Sequence, residues 1–147
     1  MVFETAYCNY PICAPALFAF MSGRLPSRIG AYDNATEFPC EVPTFSHYLR
    51  DMGYHTCLSG KMHFVGPDQL PGFEARVTTD VYPSDFTWTT DWSLSTDTWF
   101  PWYHSMSGVL NAGAHRRSVN TDYDQAVAVE ASRWLHDHAD IANGRPF

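Results

Sequence analysis

Three side chains stand where chemistry could be done. Cys13 lies in Tyr10-Pro11-Ile12-Cys13-Ala14-Pro15, at the end of a short apolar run and two residues before a proline. Proline is tolerated in the first turn of a helix, where its missing N–H would have no partner anyway. The thiol is therefore expected at the mouth of a helix, where backbone N–H groups and the positive end of the dipole face whatever binds. A free cysteine is more often a small buried hydrophobe, and this stretch alone leaves both readings open. Lys61 and His63 follow in Ser59-Gly60-Lys61-Met62-His63. A lysine is a compact point charge suited to anionic oxygens. A histidine can give a proton to a leaving oxygen or orient a nucleophile. Their spacing of two puts both on one side of an extended segment. Taken singly, a solvated lysine and a hydrogen-bonded histidine are the ordinary expectations.

The elements that must position these groups can be read from periodicity and punctuation. Residues 1–8 are β-compatible and read as the end of a strand. A short, almost wholly apolar helix is expected over 15–21, ended by Gly23. Residues 24–43 read as loop, with Pro26, Gly30, Pro39 and Pro43 as breakers. Thr44 is a good N-cap for a helix over 45–52, with Phe45, Tyr48, Leu49 and Met52 as its buried face and Gly53 as its stop. A strand over 54–58 follows, so Lys61 and His63 fall just past its C-terminal end, where open α/β sheets place ligand sites. Residues 66–117 read as a long irregular, aromatic-rich excursion over the site. The clearest helix runs over 120–139. Asp122 and Gln125 resemble a capping box there, and Tyr123, Val127, Ala131, Trp134 and Leu135 share one face.

The bulk numbers bound the function. The 147 residues make one domain's worth of chain, long enough to bury a core. The formal charge of -7 argues against nucleic acid and suits a cationic ligand. An aromatic content of 16% suggests an aromatic-lined pocket. The four cysteines, Cys8, Cys13, Cys40 and Cys57, show no zinc-type spacing. Neither a secretory leader nor a membrane span is seen, so a cytoplasmic protein with reduced cysteines is expected.

Several stretches together resemble the sulfatase family of the alkaline phosphatase superfamily, within it the choline-sulfatase branch. They are Ala6-Tyr7-Cys8-Asn9 with Cys13-Ala14-Pro15 and Phe20-Met21-Ser22-Gly23, and Leu25-Pro26-Ser27-Arg28 with Tyr32-Asp33-Asn34-Ala35. The next is the run Leu58-Ser59-Gly60-Lys61-Met62-His63-Phe64-Val65-Gly66-Pro67-Asp68-Gln69-Leu70 with Gly72-Phe73-Glu74. Thr78-Thr79-Asp80, Tyr82-Pro83-Ser84-Asp85-Phe86 and Trp102-Tyr103-His104 complete the match.

The resemblance implies a partial sulfatase catalytic domain over 1–147, of α/β class with a sheet-and-helix layer. The family's first strand, with its Asp-Asp metal pair, and its C-terminal part are expected to lie outside this chain. It implies that Cys13 is oxidised to formylglycine by a formylglycine-generating enzyme, and that its hydrate attacks the sulfur of a sulfate ester. A divalent cation, calcium in most of the family, then binds this residue and the sulfate oxygens. Lys61 and His63 match the family's G-K-x-H motif and are the implied catalytic partners. Asn34, Trp88 and His104 match positions that hold the choline head of choline-O-sulfate, with a tryptophan face attracting the quaternary ammonium. Two residues depart from the pattern. Leu17 stands where the nucleophile motif carries arginine, and Ser105 where the branch commonly carries asparagine. Two other classes remain open: a non-catalytic remnant or module that binds cationic ligands, and a related phosphoester hydrolase.

Overall fold

Helix α1, Cys13–Ser22, begins two residues before the expected start, and Pro15 sits in its first turn. The helix closes on Gly23, whose left-handed φ of 67° lets its N–H reach Ala19 O. Ala14, Pro15, Phe18, Ala19 and Met21 are buried. In the computed structural model, residues 1–91, 93–95, 97, 105–139 and 144–147 are described. Residues 1–8, expected as a strand, form no ladder and lie exposed.

The core is built on aromatic rings brought together from three stretches. Phe18 and Phe64 are fully buried and Phe38 is 3% exposed. Phe18 meets Phe38 edge-on at 5.0 Å and stacks near Phe64 at 5.9 Å. Ala14, Met21, Ile29, Ala31, Val42, Leu58 and Met62 complete the cluster. Each large side chain taken out of water contributes about 1.5–3 kcal/mol. Ile29 and Ala31 reach the core because residues 24–43 are not all loop. A short α2, Pro26–Ile29, starts on a proline and ends at Gly30.

Helix α3, Phe45–Asp51, is where expected, but its buried side is not. Thr44 and Ser46 are fully buried, whereas Phe45, Tyr48 and Met52 are exposed. Both hydroxyls donate to Pro71 O, at 2.9 and 3.1 Å, and the Thr44 N–H donates to His47 Nδ1 at 3.0 Å. This polar anchor fixes the helix rotation against the apolar periodicity. The strand over 54–58 shortens to β1, Cys57–Leu58, which pairs in parallel with β2, Ala75–Arg76. Thr56 extends the contact by accepting from Glu74 and Ala75 N–H.

The stretch 66–117, expected to be irregular, supplies β2 and holds a 3-10 turn, Phe86–Trp88, and a short α4, Ser107–Leu110, among its described residues. Helix α5, Val119–His138, is capped by Ser118, which accepts from Thr121 N–H at 3.0 Å. Asp122, expected in a capping box with Gln125, pairs with Arg117 instead. The predicted face of α5 does turn inward. Tyr123, Val127, Ala131 and Trp134 are half-buried, while Leu135 stays exposed. Tyr123 Oη donates to Thr79 O, and Ser59 Oγ donates to Val127 O, tying α5 to the segments after β2 and β1. No helix of the described residues is long and apolar enough to cross a membrane.

Candidate active site

The loop after β1 carries Lys61 and His63 into an aromatic corner. His63 is 1% exposed and has a left-handed φ of 57°. That conformation is uncommon outside glycine, although His is among the residues that adopt it most. Its ring stacks on Tyr82 at 4.8 Å and meets Trp88 at 5.4 Å. Tyr82 and Trp88 lie 5.3 Å apart, and Lys61 Nζ sits 4.7 Å over the Tyr82 ring. Both ring nitrogens of His63 are buried and have no hydrogen-bond partner among the described residues. Buried groups of this kind are rare, and a catalytic role or a bound water or ion are among their explanations. Burial pushes the His63 pKa below its ordinary value, the Lys61 charge pushes the same way, and Asp80 opposes them. The imidazole is thus favoured neutral, with one N–H to donate and one lone pair to accept.

Asp80 lies beneath the loop. Its Oδ2 accepts from Met62 N–H at 2.9 Å and His63 N–H at 2.7 Å, and Arg76 Nη2 lies 3.2 Å away. Burial pushes the Asp80 carboxyl up, but the N–H donors of Met62, His63 and Tyr82 together with Arg76 outweigh it and hold it below its ordinary range.

Cys13 is the first residue of α1 and is half-buried. The next N–H, that of Ala14, donates to Asn34 Oδ1 at 3.0 Å, so Asn34 satisfies a free amide of this helix end. Leu17, one turn further along the face of Cys13, packs against the core. The expected site residues thus fall into two groups. Lys61, His63 and Trp88 form one, and Cys13 and Asn34 the other. The two are joined through the core, because Ala14 and Phe18 of α1 and Met62 and Phe64 of the loop belong to one cluster. His104 lies outside the described residues, as do Trp92, Trp99 and Trp102.

Sequence reasoning assigned no role to Tyr82 or Asp80. The signal was present in the runs Thr78-Thr79-Asp80 and Tyr82-Pro83-Ser84-Asp85-Phe86, but only the folded chain puts them against His63. No three His, Cys, Asp or Glu side chains are placed to hold a metal ion among the described residues. A hard divalent cation needs several oxygen ligands. The described residues therefore do not by themselves fit a cation.

The Cys13 helix and the Lys61–His63 loop thus share one core on a scaffold that carries a parallel strand pair. The chain belongs to the sulfatase family, whose model matches residues 1–147. Membership implies an alkaline-phosphatase-like α/β fold, and sulfatases generally use a divalent cation. The chain is 49% identical to choline-sulfatase of Rhizobium meliloti (strain 1021) over 134 residues, 91% of this chain and 26% of that protein. It is 35% identical to the uncharacterized sulfatase YidJ of Escherichia coli (strain K12) over 66 residues, 45% of this chain and 13% of the relative. Arylsulfatase A of Bos taurus is 34% identical over 73 residues, 45% of this chain and 14% of the relative. The chain thus spans about a quarter of the length of the choline-sulfatase it matches.

Proposed function

We propose that this chain is part of a sulfuric ester hydrolase acting on choline-O-sulfate, with 1–147 forming one segment of its catalytic domain. The observation that supports this reading most is the pairing of Lys61 and the His63 ring, unpartnered among the described residues, in one corner on a core shared with the Cys13 helix. In this reading Cys13 is converted to formylglycine by a formylglycine-generating enzyme. One hydroxyl of the hydrated aldehyde attacks sulfur, and the choline oxygen leaves. The other hydroxyl then loses its proton as the aldehyde re-forms and sulfate departs. Lys61 places positive charge on the sulfate oxygens, and the neutral His63 ring has an N–H available for the leaving oxygen. Asn34 steadies the Cys13 end of α1, while Trp88 and His104 take the choline head by cation–π and polar contact. A divalent cation, calcium in this reading, needs ligands beyond the described residues. The setting is cytoplasmic, in keeping with four free cysteines.

Mass spectrometry of the Cys13 peptide, after co-expression with a formylglycine-generating enzyme, tests the nucleophile. Conversion is expected, and an unmodified thiol throughout sinks the assignment. Choline-O-sulfate hydrolysis by the polypeptide completed at both ends tests the substrate. The chain alone is expected to be inactive, and metal-dependent turnover by it would show that the segment reading is wrong. Leu17 in place of the motif's arginine favours a second reading, a non-catalytic module for cationic ligands. An unconverted Cys13 together with saturable choline binding would select it.

A further inference from the structure

We infer that Asp80 is the positioning residue of the site: its carboxylate captures the backbone of Met62 and His63 and thereby aims Lys61 and His63. The backbone ladder between the two strands runs out early, with Val77 N–H donating to Leu58 O. Beyond that point side chains replace it. Thr78 Oγ1 accepts from Gly60 N–H at 2.7 Å, and Asp80 Oδ2 accepts from Met62 N–H and His63 N–H. Two successive N–H groups converging on one oxygen form a concave backbone cradle of the kind that binds anions, and here the anion is part of the chain.

Asp80 is itself fixed on its other sides. Its side chain is 3% exposed, and Oδ1 accepts from Tyr82 N–H at 3.2 Å. Arg76, 11% exposed, pairs with it at 3.2 Å and is held in turn by Gln69 Oε1 and Thr78 O. Gln69 Nε2 donates to Phe64 O and Gly66 O on the far side of the loop. Residues 60–66 are therefore gripped at both ends by one polar network. Its centre is a carboxylate that bonds both to the loop and to the residue carrying the Tyr82 ring. The same carboxylate thus sets the left-handed turn at His63 and the aromatic surface on which the ring lies. An asparagine cannot reproduce this. With its oxygen toward Met62 and His63, its NH2 would face Tyr82 N–H, donor against donor, and Arg76 would lose its counter-charge.

The inference rests on the sulfatase reading only for what Lys61 and His63 do, and its test contains no turnover. NMR of the unmodified chain should show Met62 and His63 amides that exchange slowly and lie downfield, and a His63 ring signal displaced by the Tyr82 ring current. In Asp80→Asn those two amides should exchange roughly tenfold faster or more, as the loss of a charge-assisted hydrogen bond requires. The His63 ring signal should move toward its unstacked position, while the Phe18 and Phe64 signals stay. Asp80→Glu, which keeps the charge, should recover part of the displacement. Unchanged His63 and Met62 signals in a folded Asp80→Asn chain overturn the inference. So do fast-exchanging Met62 and His63 amides in the unmodified chain, whatever the variants do.

Discussion

Replacing His63 by phenylalanine should make this protein more stable at neutral pH while removing its function. His63 is almost wholly buried, yet neither ring nitrogen has a partner among the described residues. A neutral imidazole carries one donor and one acceptor. Leaving each unmet costs about 1–3 kcal/mol relative to an apolar group of the same shape. Phenylalanine keeps a flat ring for stacking on Tyr82 and Trp88 but adds one ring atom, an overpacking term of about 1–3 kcal/mol. The net gain is about 1–3 kcal/mol, or about 2–4 °C in melting temperature for each kcal/mol in a domain of this size. The pH dependence gives a second reading of the same group. Burial and Lys61 lower the His63 pKa below 6.5, so its neutral form is favoured in the fold. That contribution is fully present above 6.5 and is lost as pH falls through the lower folded value. The wild type should therefore lose stability relative to His63→Phe between about pH 7 and about pH 5, because the unfolded chain takes up a proton on His63 that the fold resists and the variant has no such group at this position. Urea unfolding followed by far-UV circular dichroism at both pH values measures the gap. A variant less stable than wild type at neutral pH, or a gap that does not widen in acid, refutes the reasoning. The expected trade of stability for chemistry is common where a site stores an unsatisfied group.

Phe18→Ala should cost about 3–5 kcal/mol, because it empties the centre of the Phe18, Phe38 and Phe64 cluster; a loss below about 1 kcal/mol in chemical unfolding would show that this cluster is not the core. Gly72→Ala should destabilise by more than about 2 kcal/mol and loosen the start of α3. Gly72 has φ +86°, and an added Cβ would come within 2.6 Å of His47 N and Thr44 Oγ1; unchanged amide exchange at His47 would count against this. Leu17→Arg should cost about 1–2 kcal/mol, softened because the arginine stem can lie along the core surface with its head in water. In a polypeptide completed at both ends it should raise conversion of Cys13, read as peptide mass, and equal conversion in both forms would remove Leu17 as the reason for any deficit.

The two best-read elements had local signals strong enough to survive packing. Pro15 and Gly23 bracket α1, and the period of Tyr123, Val127, Ala131 and Trp134 turns α5 inward. Helix α3 misled because its apolar period points one way while Thr44 and Ser46 hold Pro71 O the other way. Two specific hydrogen bonds to a residue 25 to 27 positions away leave no trace in a local pattern. The strand expected over 1–8 had β-compatible residues but finds no partner among those described, and a lone strand satisfies none of its backbone groups.

By itself the sequence determined which groups are available and how far apart they lie along the chain: a cysteine before a helix-starting proline, a lysine and histidine spaced by two, and an aromatic-rich stretch after them. It also carried the family, because those short runs match as a set along residues 1–147. Only the tertiary structure decided how they are held. The left-handed turn at His63, its ring against Tyr82 and Trp88, and the Asp80 oxygen beneath its backbone join residues 17 to 25 positions apart. Local propensity acts over a few neighbouring residues, so neither the strain at His63 nor the carboxylate that offsets it could be read before the chain was folded.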